Sequence, residues 1–511
     1  MTRARALALA AATLAGAGTV AGFAPFGLPA VPVLTLSLLV ALWQRSPARA
    51  AAELGFAFGL GLFAVGASWV YVALETFGGM PTVIALVGTA GFVAYLALWP
   101  ALAGYVAVRL TRPDSVARAL AAAGAFTLTE WLRGYVFTGF PWLAVGYAQL
   151  PGSPLAGYAP LGGVFLVSLA VLLVAALLAL AYDALAEGAW RRVGAIVVGA
   201  GALAIGGSVA GGVEWTAPEG NPVAVSLVQG NVPQEQKFDP EFRARTFALY
   251  TELAAASRGR LIVLPESAFP MFSDEVPDSV ILELVRTAGA RRGDLLLGLF
   301  TAEAPLPGSV DMRYYNTVLS LGEQDLQVYR KRHLVPFGET IPGKAVFGWF
   351  IRNVLAIPLA DQTPGALQQP PFAVAGTHVA VNICYEDAFG SELITAARSA
   401  GLLVNMTNDA WYGRSIAAWQ HNQISAMRAL ELGRPMLRAT NTGVTAAIAH
   451  TGLVMASLPW FTRGVLEVTI DGRVGATPYQ RLGDALALAL AFVVLAGAAL
   501  AARRTLDRAV V

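Results

Sequence analysis

The chain has 511 residues, 56% of them hydrophobic and 13% charged, with one cysteine and a net charge of +2. Soluble domains carry about 25% charged residues, so the composition excludes an ordinary soluble protein and fits one embedded in a membrane. So small a net charge gives no reason to expect nucleic acid as a partner, and a lone cysteine excludes an intramolecular disulfide and a cysteine-rich zinc site.

Residues 1–213 and 483–502 are almost entirely apolar, whereas 214–482 hold most of the acids. An apolar stretch of about 20 residues spans a bilayer. Eight candidates occur, at about 5–23, 30–44, 52–73, 82–107, 115–132, 161–182, 193–213 and 484–502. The second is short enough to be re-entrant. The first, with Arg3 and Arg5 before an Ala-rich core, has the outline of a signal peptide, but the close succession of further spans favours an uncleaved anchor. This organisation predicts a bundle over 1–213, an inserted domain over 214–482, and a last span with a cytoplasmic tail over 483–511.

Short cytoplasmic loops carry the excess of Lys and Arg. With the N-terminus inside, Arg45, Arg49, Arg109, Arg112, Arg191, Arg192, Arg503 and Arg504 all fall on the cytoplasmic side, and only Arg133 breaks the pattern. Residues 214–482 are therefore expected outside the cytoplasm. Glu130, one turn before Arg133, is an intramembrane acid, but so near a span end it reads as a paired or snorkelling charge. The stretch 133–160, with Tyr135, Phe137, Phe140, Trp142 and Tyr147, reads as an interfacial anchor or as part of a lipid-binding floor.

From 223 onward strands and helices alternate. Apolar runs predict strands at Val223–Val228, Leu261–Leu264, Leu295–Phe300, Asn316–Leu321 and Leu326–Tyr329. A hairpin through Phe372–Ala375 and Val379–Ile383 follows, then Leu402–Met406, Met436–Ala439 and Thr445–Ala449, with helices over about 240–257 and 415–432. About 260 residues of mixed α and β can bury a core of their own.

Three reactive residues end short apolar runs in this region: Glu266, Lys331 and Cys384. A parallel-type sheet would gather such strand ends along one edge. A carboxylate, an ammonium and a thiol meeting there can perform acyl transfer through a thioester. A free thiol titrates near 8.5, so attack at neutral pH needs a base or a positive charge nearby. Taken singly, each residue has a plainer reading: a cysteine at a strand end is a small buried hydrophobe, and Glu beside Pro or Lys beside Arg is a solvated charge. The four histidines, His333, His378, His421 and His450, show no metal-ligand spacing, and G-x-S-x-G is absent. No metal and no cofactor are expected, and His333 and His421 read as structural.

Leu-Pro-Glu-Ser-Ala-Phe-Pro (264–270), Tyr-Arg-Lys-Arg-His-Leu-Val-Pro-Phe-Gly-Glu (329–339), Asn-Ile-Cys-Tyr-Glu-Asp (382–387) and Thr-Asn-Asp-Ala-Trp-Tyr-Gly (407–413) resemble the carbon–nitrogen hydrolase (nitrilase) superfamily. Together with eight spans, they resemble the bacterial apolipoprotein N-acyltransferase family, over essentially the whole chain. The resemblance implies an α/β nitrilase-like αββα sandwich on a multi-pass helical bundle, in the inner membrane with the sandwich on the periplasmic side. It implies Glu266 as general base, Lys331 as electrostatic partner and Cys384 as nucleophile, with the N–H after Cys384 helping to hold the oxyanion. Glu339 matches a second acid orienting Lys331 or the incoming amine, and Tyr385 and Glu386 match positions that shape the site. Asn316 fits a family asparagine, or is a turn residue at a strand start. Trp411 lines an acyl or amine channel, or packs in the core. Phe238 stands where the family pattern has a tryptophan, keeping the ring and losing the indole N–H; with Asn316 and Trp411 it is expected to bind substrate.

The implied substrates are a phospholipid acyl donor and a diacylated lipoprotein acceptor. A membrane-tethered hydrolase that lets water reach the thioester, or a non-catalytic lipoprotein-handling protein, are the alternatives. The aromatic segment Lys344–Pro358 reads as core or as an arm that touches the bilayer.

Overall fold

The computed structural model describes residues 2–305, 312–340 and 361–507 and falls into two compact units. The first comprises residues 1–71, 81–214 and 481–511; the second comprises 72–80 and 215–480. The segment Lys344–Pro358 lies outside the described residues.

The first unit is helical: α1 (Arg3–Thr19), α2 (Ala30–Gln44), α3 (Ala48–Gly66), α4 (Thr82–Leu110), α5 (Val116–Arg133), α6 (Ala159–Ala186) and α7 (Trp190–Gly211), then a closing helix, Ala485–Asp507. A helix thus stands at each of the eight predicted places. Six are long and apolar enough to cross a membrane, among the described residues; α2, with 15 residues, and α5, with its internal charges, are not. Those charges have internal work. Arg118 donates to the carbonyls of Trp43, Gln44 and Ser46 at 3.3, 2.8 and 3.1 Å, satisfying orphan acceptors at the end of α2.

Arg133, the one basic residue against the charge pattern, is buried. It donates to the carbonyls of Phe140 and Trp142, both at 2.6 Å, with Glu130 at 3.9 Å. Glu130 accepts the Val145 N–H at 2.9 Å. The pair pins the 140–145 loop, so Arg133 says nothing about orientation.

The second unit is a sandwich of two six-stranded sheets. Its strands are β1 (Thr216–Gln229), β2 (Leu261–Val263), β3 (Asp294–Glu303), β4 (Arg313–Gly322), β5 (Val328–Arg330), β6 (Phe372–Val374), β7 (Thr377–Ile383), β8 (Leu402–Thr407), β9 (Met436–Thr440), β10 (Ala446–Ile448), β11 (Val454–Ser457) and β12 (Gly464–Gly475). The orders are β12-β1-β2-β3-β4-β5 and β6-β7-β8-β9-β10-β11. Read that way, both sheets repeat one pattern: antiparallel, parallel, parallel, antiparallel, antiparallel.

Val225, Leu227, Val263, Leu296 and Val318 of one sheet meet Val379, Val381, Val404, Met406 and Leu437 of the other in one buried core. The opposite face of the first sheet packs on α8 (Arg243–Ala256) and α9 (Asp278–Gly289) through Tyr250, Leu253, Leu284 and Ala288. Helices α10 (Gly390–Ala397) and α11 (Ala417–Leu432) pack on strands β7 and β9 of the second sheet. The expected αββα layering is present. Because the parallel strands are buried on both faces, they read in sequence as continuous apolar runs.

Three expectations need correction. The reactive strand ends do not share one sheet edge: Glu266 and Lys331 follow strands of the first sheet, and Cys384 follows β7 of the second. Residues 72–80 belong with the sandwich, not with the bundle assigned to 1–213; Phe77 packs edge-on against Trp411, ring centroids 6.4 Å apart. Asn316 lies inside β4, opposite Phe300, so it is not a turn residue.

Candidate active site

Each reactive side chain is presented by a constrained turn. Glu266 follows β2 in a turn that lies directly on β3. A side chain at Gly298 would come within 2.6 Å of the Pro265 carbonyl and 2.7 Å of the Ser267 nitrogen, so only glycine permits this approach. Ser267 itself has φ +47°. Lys331 follows β5, its N–H donating to the Asn316 carbonyl at 2.8 Å, which extends the β4–β5 ladder past the assigned strand. Cys384 opens a one-turn helix immediately after β7, with φ +51°, a conformation that costs a non-glycine residue of order 1–3 kcal/mol.

Around Glu266 and Lys331 the polar contacts are dense. Lys331 Nζ lies 3.3 Å from Glu266 Oε1 and 2.8 Å from Glu339 Oε1. Asn316 Nδ2 donates to Glu266 Oε1 at 2.8 Å and reaches Glu339 Oε1 at 3.4 Å, while the Asn408 N–H donates to Glu266 Oε2 at 2.8 Å. Glu339 Oε2 accepts the Val335 N–H at 2.8 Å. Burial disfavours the Lys331 ammonium, but the charges of Glu266 and Glu339 outweigh it and hold the group protonated. Burial, with Glu266 close by, pushes the Cys384 thiol well above its ordinary value, against the pull of Lys331.

Beneath Cys384 runs a buried network. The Cys384 carbonyl accepts from Asn405 Nδ2 at 3.0 Å and lies 3.3 Å from His421 Nε2. His421 also meets Asp387 at 2.9 Å and Asp409 at 2.7 Å, and Arg438 bridges the same two acids at 3.3 and 2.8 Å. Burial and Arg438 push the imidazolium down; the two aspartates prevail and raise it to about 9. His421 is thus structural, as expected, but what it supports is the strained turn at Cys384.

Glu386 and Tyr385 act within the protein. Glu386 accepts the N–H groups of Ile383, Arg332 and His333 at 2.6, 2.7 and 3.2 Å, and the Tyr329 hydroxyl at 2.9 Å. Burial raises it to about 7 despite those donors. Tyr385 packs edge-on to Phe389 at 5.1 Å. Trp411 faces Phe77, and Phe238 is 39% exposed beyond a short helix, Gln234–Lys237.

That short helix holds a further residue of the site, one that no sequence pattern marks. Lys237 is buried and donates to the Glu266 carbonyl at 3.0 Å. In sequence it is one charge in Gln-Glu-Gln-Lys, indistinguishable from a solvated face.

Comparison with known proteins places this geometry. Residues 224–479 match the carbon-nitrogen hydrolase family and residues 15–177 the apolipoprotein N-acyltransferase N-terminal domain. An apolipoprotein N-acyltransferase of Nitrosomonas europaea is 50% identical over 97% of both chains. The chain belongs to the apolipoprotein N-acyltransferase family. Proteins of that name from Chromobacterium violaceum and Methylococcus capsulatus are 44% and 43% identical, over 93% and 92% of this chain and 90% and 91% of theirs. The family match covers both the helical unit and the sandwich, so the reactive residues and the membrane helices are parts of one family architecture.

Proposed function

We propose that this membrane-embedded acyltransferase moves an acyl chain from a phospholipid to the N-terminal amine of a diacylglyceryl-cysteine lipoprotein, through a thioester on Cys384. Glu266 takes the thiol proton as sulfur attacks the ester carbonyl, and Lys331 stabilises the oxyanion. The ester C–O bond breaks, Glu266 returns the proton to the leaving alkoxide, and lysophospholipid departs. The lipoprotein amine then attacks the thioester, the C–S bond breaks, and the proton released from nitrogen ends on sulfur. With the resting thiol protonated by burial, proton removal accompanies attack and no thiolate is stored.

The observation that carries this reading is the convergence of Glu266 and Lys331 at 3.3 Å, electrostatically coupled to the single cysteine, in a chain of this family. Asn316 and Glu339 orient the acid and the ammonium, and Glu386 braces the turn. Tethering to membrane helices suits two lipid substrates, because extracting an acyl chain into water costs about 0.8 kcal/mol per CH₂. The basic residues at Arg45, Arg49, Arg109, Arg112, Arg191 and Arg192 support a sandwich on the periplasmic side of the inner membrane.

Incubation of the purified protein with phospholipid alone tests the reaction. One acyl group per protein, with an equal amount of lysophospholipid, is the expected result. Continuous fatty-acid release would replace the transferase with a hydrolase.

A further inference from the structure

We propose that Lys237 is a positioning residue and second cation of the acyl-transfer site, holding the Glu266 main chain and offsetting the negative charge that forms on Cys384. This rests on Cys384 being the nucleophile.

Three observations carry it. Lys237 is only 3% exposed, yet among the described residues no carboxylate lies within ion-pair distance of it; its hydrogen bond goes to the Glu266 carbonyl. A buried ammonium without an acid partner is costly to keep. Next, the charge count nearby does not close without it. Lys331 is shared between Glu266 and Glu339, one cation for two carboxylates, while His421 and Arg438 are matched one for one by Asp387 and Asp409. Lys237 adds a positive charge where carboxylates are in excess, and it interacts electrostatically with both Glu266 and Cys384.

Finally, its helix grips Glu266 from two sides. Lys237 takes the carbonyl, and Gln234 Oε1 accepts from Asn408 Nδ2 at 2.9 Å while the Asn408 N–H holds Glu266 Oε2. Burial lowers Lys237 to about 8, against the opposing pull of Glu266 and the sulfur. The charged or titratable groups facing the thiol are Glu266, Lys331, Asp409, Tyr412 and Lys237.

The test is the alkylation rate of Cys384 by iodoacetamide in the full-length protein, from about pH 7 to about pH 10, a range that spans the titration of a displaced lysine. With one cysteine in the chain, all label reports this thiol. In the wild type the logarithm of the rate should rise with pH, flatten over about one pH unit above about pH 8, where Lys237 loses its charge, and then rise again alongside Lys237→Met. Lys237→Met should be slower by about tenfold below that point, equivalent to about one pKa unit, and show no flattening. Lys237→Arg should keep the faster rate without flattening. Lys237→Met tracking the wild type in rate and shape would overturn the proposal. If that variant fails to fold, Lys237→Gln against Lys237→Arg makes the same comparison, and equal profiles for these two would overturn it. Because no lipid is used, loss of the acyl-transfer reading would appear separately, as a wild type that alkylates but takes up no acyl chain.

Discussion

Glu386 Oε1 accepts the main-chain N–H of Arg332 at 2.7 Å, and this contact fastens the turn after Cys384 to the loop that carries Lys331. The other oxygen, Oε2, holds the Ile383 N–H at 2.6 Å. One carboxylate therefore spans both sheets of the sandwich, fixing Cys384 relative to Lys331. Glu386→Gln turns one acceptor into a donor aimed at an N–H. An unsatisfied buried donor costs about 1–3 kcal/mol, so single-turnover acylation should slow by about 10-fold or more, with phospholipid binding little changed.

Asn316 sets the orientation of Glu266. Its Nδ2 is a donor to both Glu266 and Glu339. Asn316→Ala should lower the acylation rate by about 10- to 100-fold, within the range expected of general-base catalysis. Asn316→Asp should be worse, since it places a third carboxylate against two others. Rapid-quench measurement of acyl-enzyme formation separates the two variants.

Arg133 is predicted to matter for stability. Replacing it with Met leaves Glu130 without its buried counter-charge and the carbonyls of Phe140 and Trp142 without their buried donor. Breaking a buried pair from one side costs about 3–5 kcal/mol. The thermal midpoint in detergent should fall clearly, and Glu130→Gln combined with Arg133→Met should recover part of the loss.

The His421 network predicts a pH dependence. His421 titrates near 9 in the folded protein, above the usual 6.5. The folded state holds that proton more tightly, so the stabilisation is complete below about pH 6.5 and is lost as pH rises through about 9. The wild-type thermal midpoint should decline across that interval. In His421→Gln this part of the decline should disappear. Differential scanning at stepped pH reads it directly.

Much of this was legible in the chain because the informative residues interrupt apolar runs. Glu266 and Cys384 follow strands whose ends are buried, and Lys331 follows a half-exposed edge strand, so each stands out as a reactive group closing a short run. What could not be read is which sheet each strand joins, since a short apolar run looks alike in either; hence Cys384 and Glu266 were expected on one edge. Strand β12 is not a continuous apolar run: Leu466, Val468 and Ile470 face the core and alternate with exposed Glu467, Thr469 and Asp471, as on an edge strand. Lys237 is buried and bonded to the Glu266 turn, 29 residues further on. Phe77 joins the sandwich through Trp411, more than 300 residues away, a contact no local pattern announces.

The central claim is a covalent acyl intermediate passed on to an amine, and a chase experiment tests it most directly. The protein is loaded with labelled phospholipid, freed of unreacted lipid, and mixed with a diacylglyceryl-cysteine peptide. The account predicts that intact-mass spectra lose the acyl adduct from Cys384 as the peptide gains an amide-linked chain in equal amount, with none of this in Cys384→Ser. Transfer that occurs only while free phospholipid is present, or that survives in Cys384→Ser, would contradict it.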